Sequence, residues 1–379
     1  VSTPLPLAGV KVLDLSTLLP GPLATLMLAE AGADVVKLER PGVGDEMRTY
    51  EPKFGESSGN YAVLNRGKRA YAVDFKDPEQ RDRVLELAAD ADVVMEQFRP
   101  GVADRLGLGY EAMQAINPRL IYCSITGYGP SGPHATRAGH DLNYLAESGL
   151  LGVVTDTTGS PSLPVTVIAD IAAGTYPAVV NILLALRQAE HTGHGTHLQI
   201  SMAHNLQVLG YGYFATHQAG GSWPKPGAEQ LTGGSPRYRI YPTSDRRHIA
   251  CAALEQKFWD RLVHVVGLEA KFHDDGGQEQ AVIAALESVF AARPASYWRD
   301  LLDGEDVCTV VVATWDEAVA AGLVDIASSD RVTQPGDPSQ SFSTLYSPID
   351  PALRSVGDSV PYPALDPLPD RSPWSRENL

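Results

Sequence analysis

The sequence predicts an α/β protein: a large domain built on a doubly wound parallel sheet, followed by a smaller α/β domain. Three observations carry this. Short β-branched runs alternate with helical stretches from residue 9 to about residue 126, the pattern of parallel strands joined by crossover helices. The chain has 379 residues, 44% of them hydrophobic, enough for one large core or two medium ones. A Gly- and Pro-rich stretch, AGGSWPKPGAEQLTGGS (219–235), then marks a crossing between domains. The expected division is 1–220 for the large domain and 221–324 for the small domain, with the irregular end of the chain wrapped over a surface.

GVKVLDL (9–15) reads as the first strand, and Pro22 suits the start of the helix LATLMLAEAG, ended by Gly32. ADVVKLERP is the second strand. The turn between them lacks G-x-G-x-x-G, so no dinucleotide fingerprint stands where one would be expected. Residues 42–60 read as an irregular loop. LNRGKRAYAVDFK then sets four cations, Arg66, Lys68, Arg69 and Lys76, around a short strand. A helix follows with Asp77 as N-cap and Pro78 at its first position. ADVVMEQF is a strand, Arg99-Pro100-Gly101 a turn, 102–107 and 110–116 helices, and LIYCSITGYG a strand.

AGHDLNYLAESG places His140 beside Asp141. PVTVIAD reads as a strand that closes at Asp170, where a helix over 171–189 begins. HTGHGTHLQISM turns into another strand, and 202–217 is helical. In the smaller domain, RYRIYPTSDRRHIACAAL predicts a hairpin turned at Ser244-Asp245. A helix headed by Glu255, further helices to about 303, and the strand and helix of VCTVVVATWDEAV follow. The end, 330–379, shows little periodicity, and there is no internal repeat.

Composition excludes several classes. A formal net charge of −16 argues against general nucleic-acid or anionic-membrane binding. No stretch of about 18 apolar residues is apparent, so no membrane span is expected. Cys123, Cys251 and Cys308 have neither disulfide nor metal spacing and read as reduced, core or near-core residues of a cytoplasmic protein. His191, His194 and His197 have H-x-x-H-x-x-H spacing, but Gly193 and Gly195 break the run. A solvated turn is the better reading, and no metal is expected.

A histidine and a carboxylate brought together can move a proton across a substrate. Taken singly, His140 is an ordinary loop histidine and Asp170 an ordinary N-cap. Arg40, Arg66, Arg69 and Arg99 lie near strand ends or loops of an acidic protein. Clustered beyond the carboxyl ends of the strands, they would hold phosphates by bidentate contacts. Glu255, in a helix's first turn, says nothing alone.

The segments PLAGVKVLDLSTLLPGPLATLMLAEAGADVVKLERPGVGDEMR, LNRGKRAYAVDFKDPEQR, EQFRPGVADRLGLGYEAMQAINPRLIYCSITGYGPSGP and TGHGTHLQISM resemble, in order and spacing, the family III CoA-transferases (the CaiB/BaiF type). That family includes formyl-CoA transferase and α-methylacyl-CoA racemase, and the resemblance runs from about residue 5 to about residue 320. It implies coenzyme A, as an acyl-CoA substrate, bound by a Rossmann-like large domain that a returning C-terminal tail, 325–379, completes. It also implies an interlocked homodimer whose active site lies between the large domain of one subunit and the small domain of the other. AGHDLNYLAESG is similar to the racemase form, in which the position of His140 is a base and that of Asp170 the second acid/base. Asp141 and Glu255 then tune and orient them. In transferase members the aspartate at the position of Asp170 is instead a nucleophile that becomes an aspartyl-CoA thioester, attacked by a carboxylic acid acceptor. There a glycine loop, here Gly233-Gly234, shields the intermediates.

Overall fold

The computed structural model describes residues 4–156, 158–326, 330–344, 347–356 and 359–375. The chain divides into two compact units. The first comprises Val1–Ser148, Val165–Leu209 and Asp325–Leu379, and the second Gly149–Pro164 and Gly210–Val324. The units thus part at residue 209, and a short segment, 149–164, belongs with the second.

The first unit alternates strand and helix. β1 (Lys11–Asp14) leads to α1 (Pro20–Glu30) and β2 (Asp34–Glu39). The 42–60 region, read as a loop, holds a short 3₁₀ turn, Glu46–Thr49, and a two-residue hairpin, β3 (Lys53–Phe54) and β4 (Ser57–Ser58). Then come α2 (Gly59–Asn65), β5 (Arg69–Ala72) and α3 (Pro78–Asp90). Asp77 caps α3 as expected, its side chain accepting from the N–H groups of Glu79 and Gln80. β6 (Val93–Glu96), α4 (Val102–Arg105), α5 (Tyr110–Ile116) and β7 (Ile121–Thr126) complete the alternation.

α6 (Asp141–Glu147) and α7 (Tyr176–Thr192) precede β8 (Thr196–Ser201) and α8 (Met202–Leu209). Apart from its edge strand, the sheet runs β5-β2-β1-β6-β7-β8, every pairing parallel. This is the doubly wound order in which the crossovers reverse between β1 and β6, and ligands bind beyond the carboxyl ends at that reversal. β1, β2, β6 and β7 are buried on both faces, which explains why they read as apolar runs rather than as alternating ones, whereas β5 and β8 are only half-buried.

In the second unit, α9 (Tyr211–Gly220) is separated from α8 at Gly210, so the single helix expected over 202–217 is two. β9 (Tyr238–Pro242) and β10 (His248–Ala252) form the expected antiparallel hairpin. α10 (Gln256–Val265), α11 (Glu279–Ala291) and α12 (Ala295–Leu302) precede β11 (Thr309–Val311), which pairs with β10, and α13 (Trp315–Ala320). Their core packs Trp259, Phe290 and Trp298 against Tyr241 and Ile249. Cys308 in this unit is exposed, not near-core, whereas Cys123 and Cys251 are buried.

The tail is more regular than its sequence suggests. β12 (Arg331–Gln334), β13 (Asp337–Ser343) and β14 (Ser359–Pro361) form a small sheet, and β15 (Leu365–Pro367) adds a parallel edge to β5. Pro and Ser conceal such strands because a strand at an edge, or one solvated on one face, tolerates them.

The continuous helical stretch Ala169–Thr192 has 24 residues and is apolar enough by length and composition to cross a membrane. Here part of it is buried against the main unit, with Ala178, Val179, Ile182 and Ala185 turned inward.

Candidate active site

Three buried carboxylates end adjacent strands at the carboxyl edge of the sheet: Asp14 on β1, Glu39 on β2 and Glu96 on β6. Asp14 and Glu39 are neutralised by a buried network. Lys37 Nζ donates to Ser16 O at 2.5 Å and lies 3.3 Å from Asp45. Lys68 Nζ donates to Asn65 Oδ1 and Thr25 Oγ1, each at 2.9 Å, and lies 3.5 Å from Asp14. Burial alone would raise the Asp14 carboxyl, but Lys37 and Lys68 overcome it and hold it below the usual carboxylate range. Burial pushes Lys68 down to about 7. Arg48 forks onto both oxygens of Glu39 at 2.7 and 3.0 Å. Asp45 accepts from the N–H of Leu18, a residue held at φ +62°, so the network fixes the loop that leads from β1 into α1.

That loop is tied to the segment carrying Asp170. Pro20 O accepts the Thr175 hydroxyl at 2.9 Å, and Gly174 has Pro20 and Met202 close where a Cβ would stand. Asp170 does not close a strand. PVTVIAD forms none, and Val165 is 98% exposed, because no neighbouring strand pairs with the run. Nor is Asp170 an N-cap. It lies inside a wide π-helical turn, Ala169–Thr175, that continues into α7. Such turns displace the backbone ladder and occur often at functional positions.

His140 is the N-cap residue of α6, exposed, its N–H donating to Asn143 Oδ1 at 3.0 Å. Asp141, the next residue, is buried, and its Oδ1 accepts the Asp170 N–H at 2.9 Å. One hydrogen bond therefore joins the two segments that sequence analysis singled out. Burial raises the Asp170 carboxyl to about 6, the Asp141 charge adds to the rise, and His140 opposes it. His140, Asp141 and Asp170 are thus within electrostatic reach of one another.

Tyr144 was not anticipated. Its hydroxyl donates to Gly139 O at 2.6 Å, the carbonyl just before His140. Its ring fills the space where a Cβ on Gly127 or Gly139 would stand, 2.6 and 2.8 Å away. The phenol is raised to about 12 by burial, then by Asp170, Tyr128 and Asp141, with Arg99 opposing, which puts Arg99 on the same side of the unit as the aspartates. The signal available beforehand was the pair of glycines flanking the segment, Gly127 and Gly139.

The four arginines separate. Arg40 follows β2 at the carboxyl edge and is exposed, its Nε donating to Gly44 O at 3.0 Å. Arg99 follows β6 and is also exposed. Arg66 is instead buried, paired with Glu30 and bonded to Val63 O. Arg69 opens β5, at the amino edge, and binds Asp34 and Pro373 O at 2.5 Å each. A guanidinium so committed, or at the wrong end of the strands, does not join a phosphate cluster with Arg40 and Arg99. Glu255 is exposed at the N-cap position of α10, in the second unit. Gly233-Gly234 forms a packed turn: Gly234 donates to Glu229 O, and a Cβ there would stand 2.1 Å from Ala228 O. Among the described residues, no group of three or more His, Cys, Asp or Glu is placed to hold a metal ion. His197 is on β8, 3.0 Å from Ser124, while His191 and His194 are exposed.

CoA-transferase family III matches residues 7–350 of the chain. The protein belongs to this family. It is 34% identical to the human α-methylacyl-CoA racemase over 320 residues, 83% of this chain and 79% of the racemase. It is 33% identical to the acetyl-CoA:oxalate CoA-transferase of Acetobacter aceti over 348 residues, 88% of each chain. Its fold is similar to that of a CAIB/BAIF family protein from Brucella suis, with TM-score 0.77, 28% identity and 97% of both chains covered. The protein is accordingly an enzyme of the family III CoA-transferase and racemase group. Those two relatives catalyse different reactions, and the shared fold accommodates both.

Proposed function

We propose that the protein moves the α-proton of a 2-methylacyl-CoA thioester, as a racemase or epimerase. The observation that supports this is the Asp141 bridge, which ties the residue beside His140 to the Asp170 backbone, with both His140 and Asp141 acting on an Asp170 carboxyl raised to about 6. A carboxyl held near 6 with an imidazole acting on it suits proton transfer.

In this reading His140 removes the proton from one face of the α-carbon and Asp170 delivers one to the other. The intermediate is an enolate, accessible because sulfur donates weakly into the thioester carbonyl. Asp141 holds the Asp170 backbone and keeps its carboxyl protonatable. The N–H groups of His140, Asp170 and Ile171 are already engaged, so the enolate oxygen takes its donors elsewhere. Arg40 and Arg99 hold the CoA phosphates, binding energy remote from the reacting carbon. Glu255 reaches the site from the partner subunit of an interlocked dimer. In support of a dimer, α7 and α8 leave Val180, Leu184 and Val208 more than half exposed.

The alternative is CoA transfer to a carboxylic acid through an aspartyl-CoA at Asp170. The acetyl-CoA:oxalate relative, which covers 88% of both chains, favours it. The Gly233-Gly234 pair does not, because it is a short turn held against Ala228 and Glu229 rather than an extended glycine loop.

The two are separated by incubating the enzyme in D₂O with a 2-methylacyl-CoA and no acceptor acid, and following the α-position by mass spectrometry. Deuterium wash-in that vanishes in His140→Ala and Asp170→Ala supports proton transfer. No wash-in, together with hydroxylamine trapping at Asp170 that depends on acyl-CoA, would establish the transferase instead.

A further inference from the structure

Beneath the turn that carries Arg99 lies a cavity of about 140 Å³. The sheet contributes Glu96, Ser124 and His197 to its lining, and Phe98, Arg99 and Tyr110 border it as well. The proton transfer described above uses none of these sheet groups. Glu96 ends β6 and is buried. Its Oε2 accepts the Phe98 N–H at 2.7 Å, closing a tight turn onto the carboxylate. Ser124, on the next strand, faces the same carboxyl and favours its ionised form. Ser124 Oγ in turn lies 3.0 Å from Nε2 of His197, whose ring stacks on Tyr110 with centroids 4.8 Å apart. Sheet register puts Glu96 directly opposite Ser124. Three side chains from three adjacent strands thus line up under the turn, Glu96 opposite Ser124 and Ser124 in contact with His197.

The next residue anchors the turn sideways. Gln97 Oε1 accepts the Gly21 N–H at 3.1 Å in the first turn of α1. The neighbouring Pro20 carbonyl holds Thr175, in the same π-turn as Asp170. Two residues beyond Gln97, Arg99 emerges on the side of Tyr144 and the aspartates. A buried polar line of this kind costs desolvation, which its hydrogen bonds offset only if all are made. It therefore specifies one geometry for the backbone it holds.

We propose that Glu96 is a positioning residue for acyl-CoA binding: backed by Ser124 and His197, its carboxylate fixes the 97–101 turn that presents Arg99 to the substrate. This rests on the role proposed above for Arg99 in holding CoA phosphates.

The test is a double-mutant cycle read by calorimetric titration with coenzyme A, alongside kcat and KM. Glu96→Ala is expected to weaken CoA binding about tenfold while kcat stays within about twofold. Glu96→Gln, whose amide oxygen still accepts the Phe98 N–H, is expected to restore most of the affinity. On an Arg99→Ala background, Glu96→Ala should add less than about a twofold loss. Equal losses on both backgrounds would overturn the proposal and leave the Arg99 reading intact. If Arg99→Ala itself binds CoA unchanged, the Arg99 reading fails and the proposal with it. Should Glu96→Ala not fold, Ser124→Ala is the milder variant. It removes the link to His197 and is expected to weaken binding a few-fold, again only where Arg99 is present. No weakening there also overturns the proposal.

Discussion

Replacing Asp170 by asparagine should make the protein more stable at neutral pH, even as it removes the reactive carboxyl. Burial and the Asp141 charge raise Asp170 from 3.8 to about 6 in the folded state, an interval of about 3 kcal/mol between the two protonation states. The sign follows from proton counting. Between about pH 4 and 6 the folded state binds more protons at this site than the unfolded state, so stability falls as pH rises through that window. Below it, both states carry the neutral acid and there is no penalty. Above it, both are ionised and the full cost is present. The substituted amide carries no charge at any pH, and the backbone N–H at this position still donates to Asp141. Because Asp170 is only half-buried, solvent screens part of the cost, and a gain of about 1–2 kcal/mol at pH 7.5 is the expected size. The assay is urea denaturation of both proteins at pH 4 and pH 7.5. The expected result is coincident curves at pH 4 and a higher midpoint for Asp170→Asn at pH 7.5. A variant that is less stable at pH 7.5, or one with the same difference at both values, would refute the argument that burial and Asp141 disfavour the Asp170 carboxylate.

Further consequences follow from the same geometry. Asp141→Asn keeps an oxygen for the Asp170 N–H but removes the charge, so the limb of kcat/KM set by Asp170 should move down by roughly half to one pH unit, measured as a pH–rate profile. Gly127→Ala puts a methyl group 2.6 Å from the Tyr144 ring. It should displace the Gly139–His140 peptide and reduce kcat at least tenfold, and Tyr144→Phe should act in the same direction more weakly, both read in the deuterium assay. Arg48→Ala strands Glu39 without its partner and should cost about 3–5 kcal/mol in urea denaturation. Arg69→Ala should lower stability without changing CoA affinity, whereas Arg99→Ala should weaken CoA binding with little change in stability, compared by calorimetry and thermal melting.

The arginines show what a linear sequence contains and what it omits. The strand and helix alternation was legible because the central strands β1, β2, β6 and β7 are buried on both faces and so read as apolar runs, and because helix starts can carry their own punctuation, as Asp77-Pro78 does for α3. Proximity to a strand was therefore readable for Arg40, Arg66, Arg69 and Arg99 alike. Which end of the strand each occupies depends on chain direction within the sheet. Which carboxylate each meets depends on contacts distant in the chain: Glu30 lies 36 residues from Arg66, and Asp34 lies 35 residues from Arg69. PVTVIAD failed for the complementary reason. Its composition favours a strand, but a strand needs a neighbour, and local propensity cannot supply one.

What the sequence held most firmly at the site was the pair His140-Asp141, and the structure gives a physical account of why adjacency matters. At the start of α6 the backbone changes direction, so two neighbouring residues diverge: His140 stays exposed while Asp141 turns inward to the Asp170 N–H. One peptide step thus brings a solvent-facing imidazole and a buried charge to act on the same carboxyl group. Separating the two by a single inserted residue would leave either the imidazole or the bridge out of place. The expected outcome of inserting Gly between His140 and Asp141 is therefore loss of deuterium wash-in with the fold retained. Circular dichroism checks the fold and mass spectrometry the exchange. Exchange at the parent rate in a folded insertion variant would mean that His140 and Asp141 act independently, and the bridge would then be structural alone.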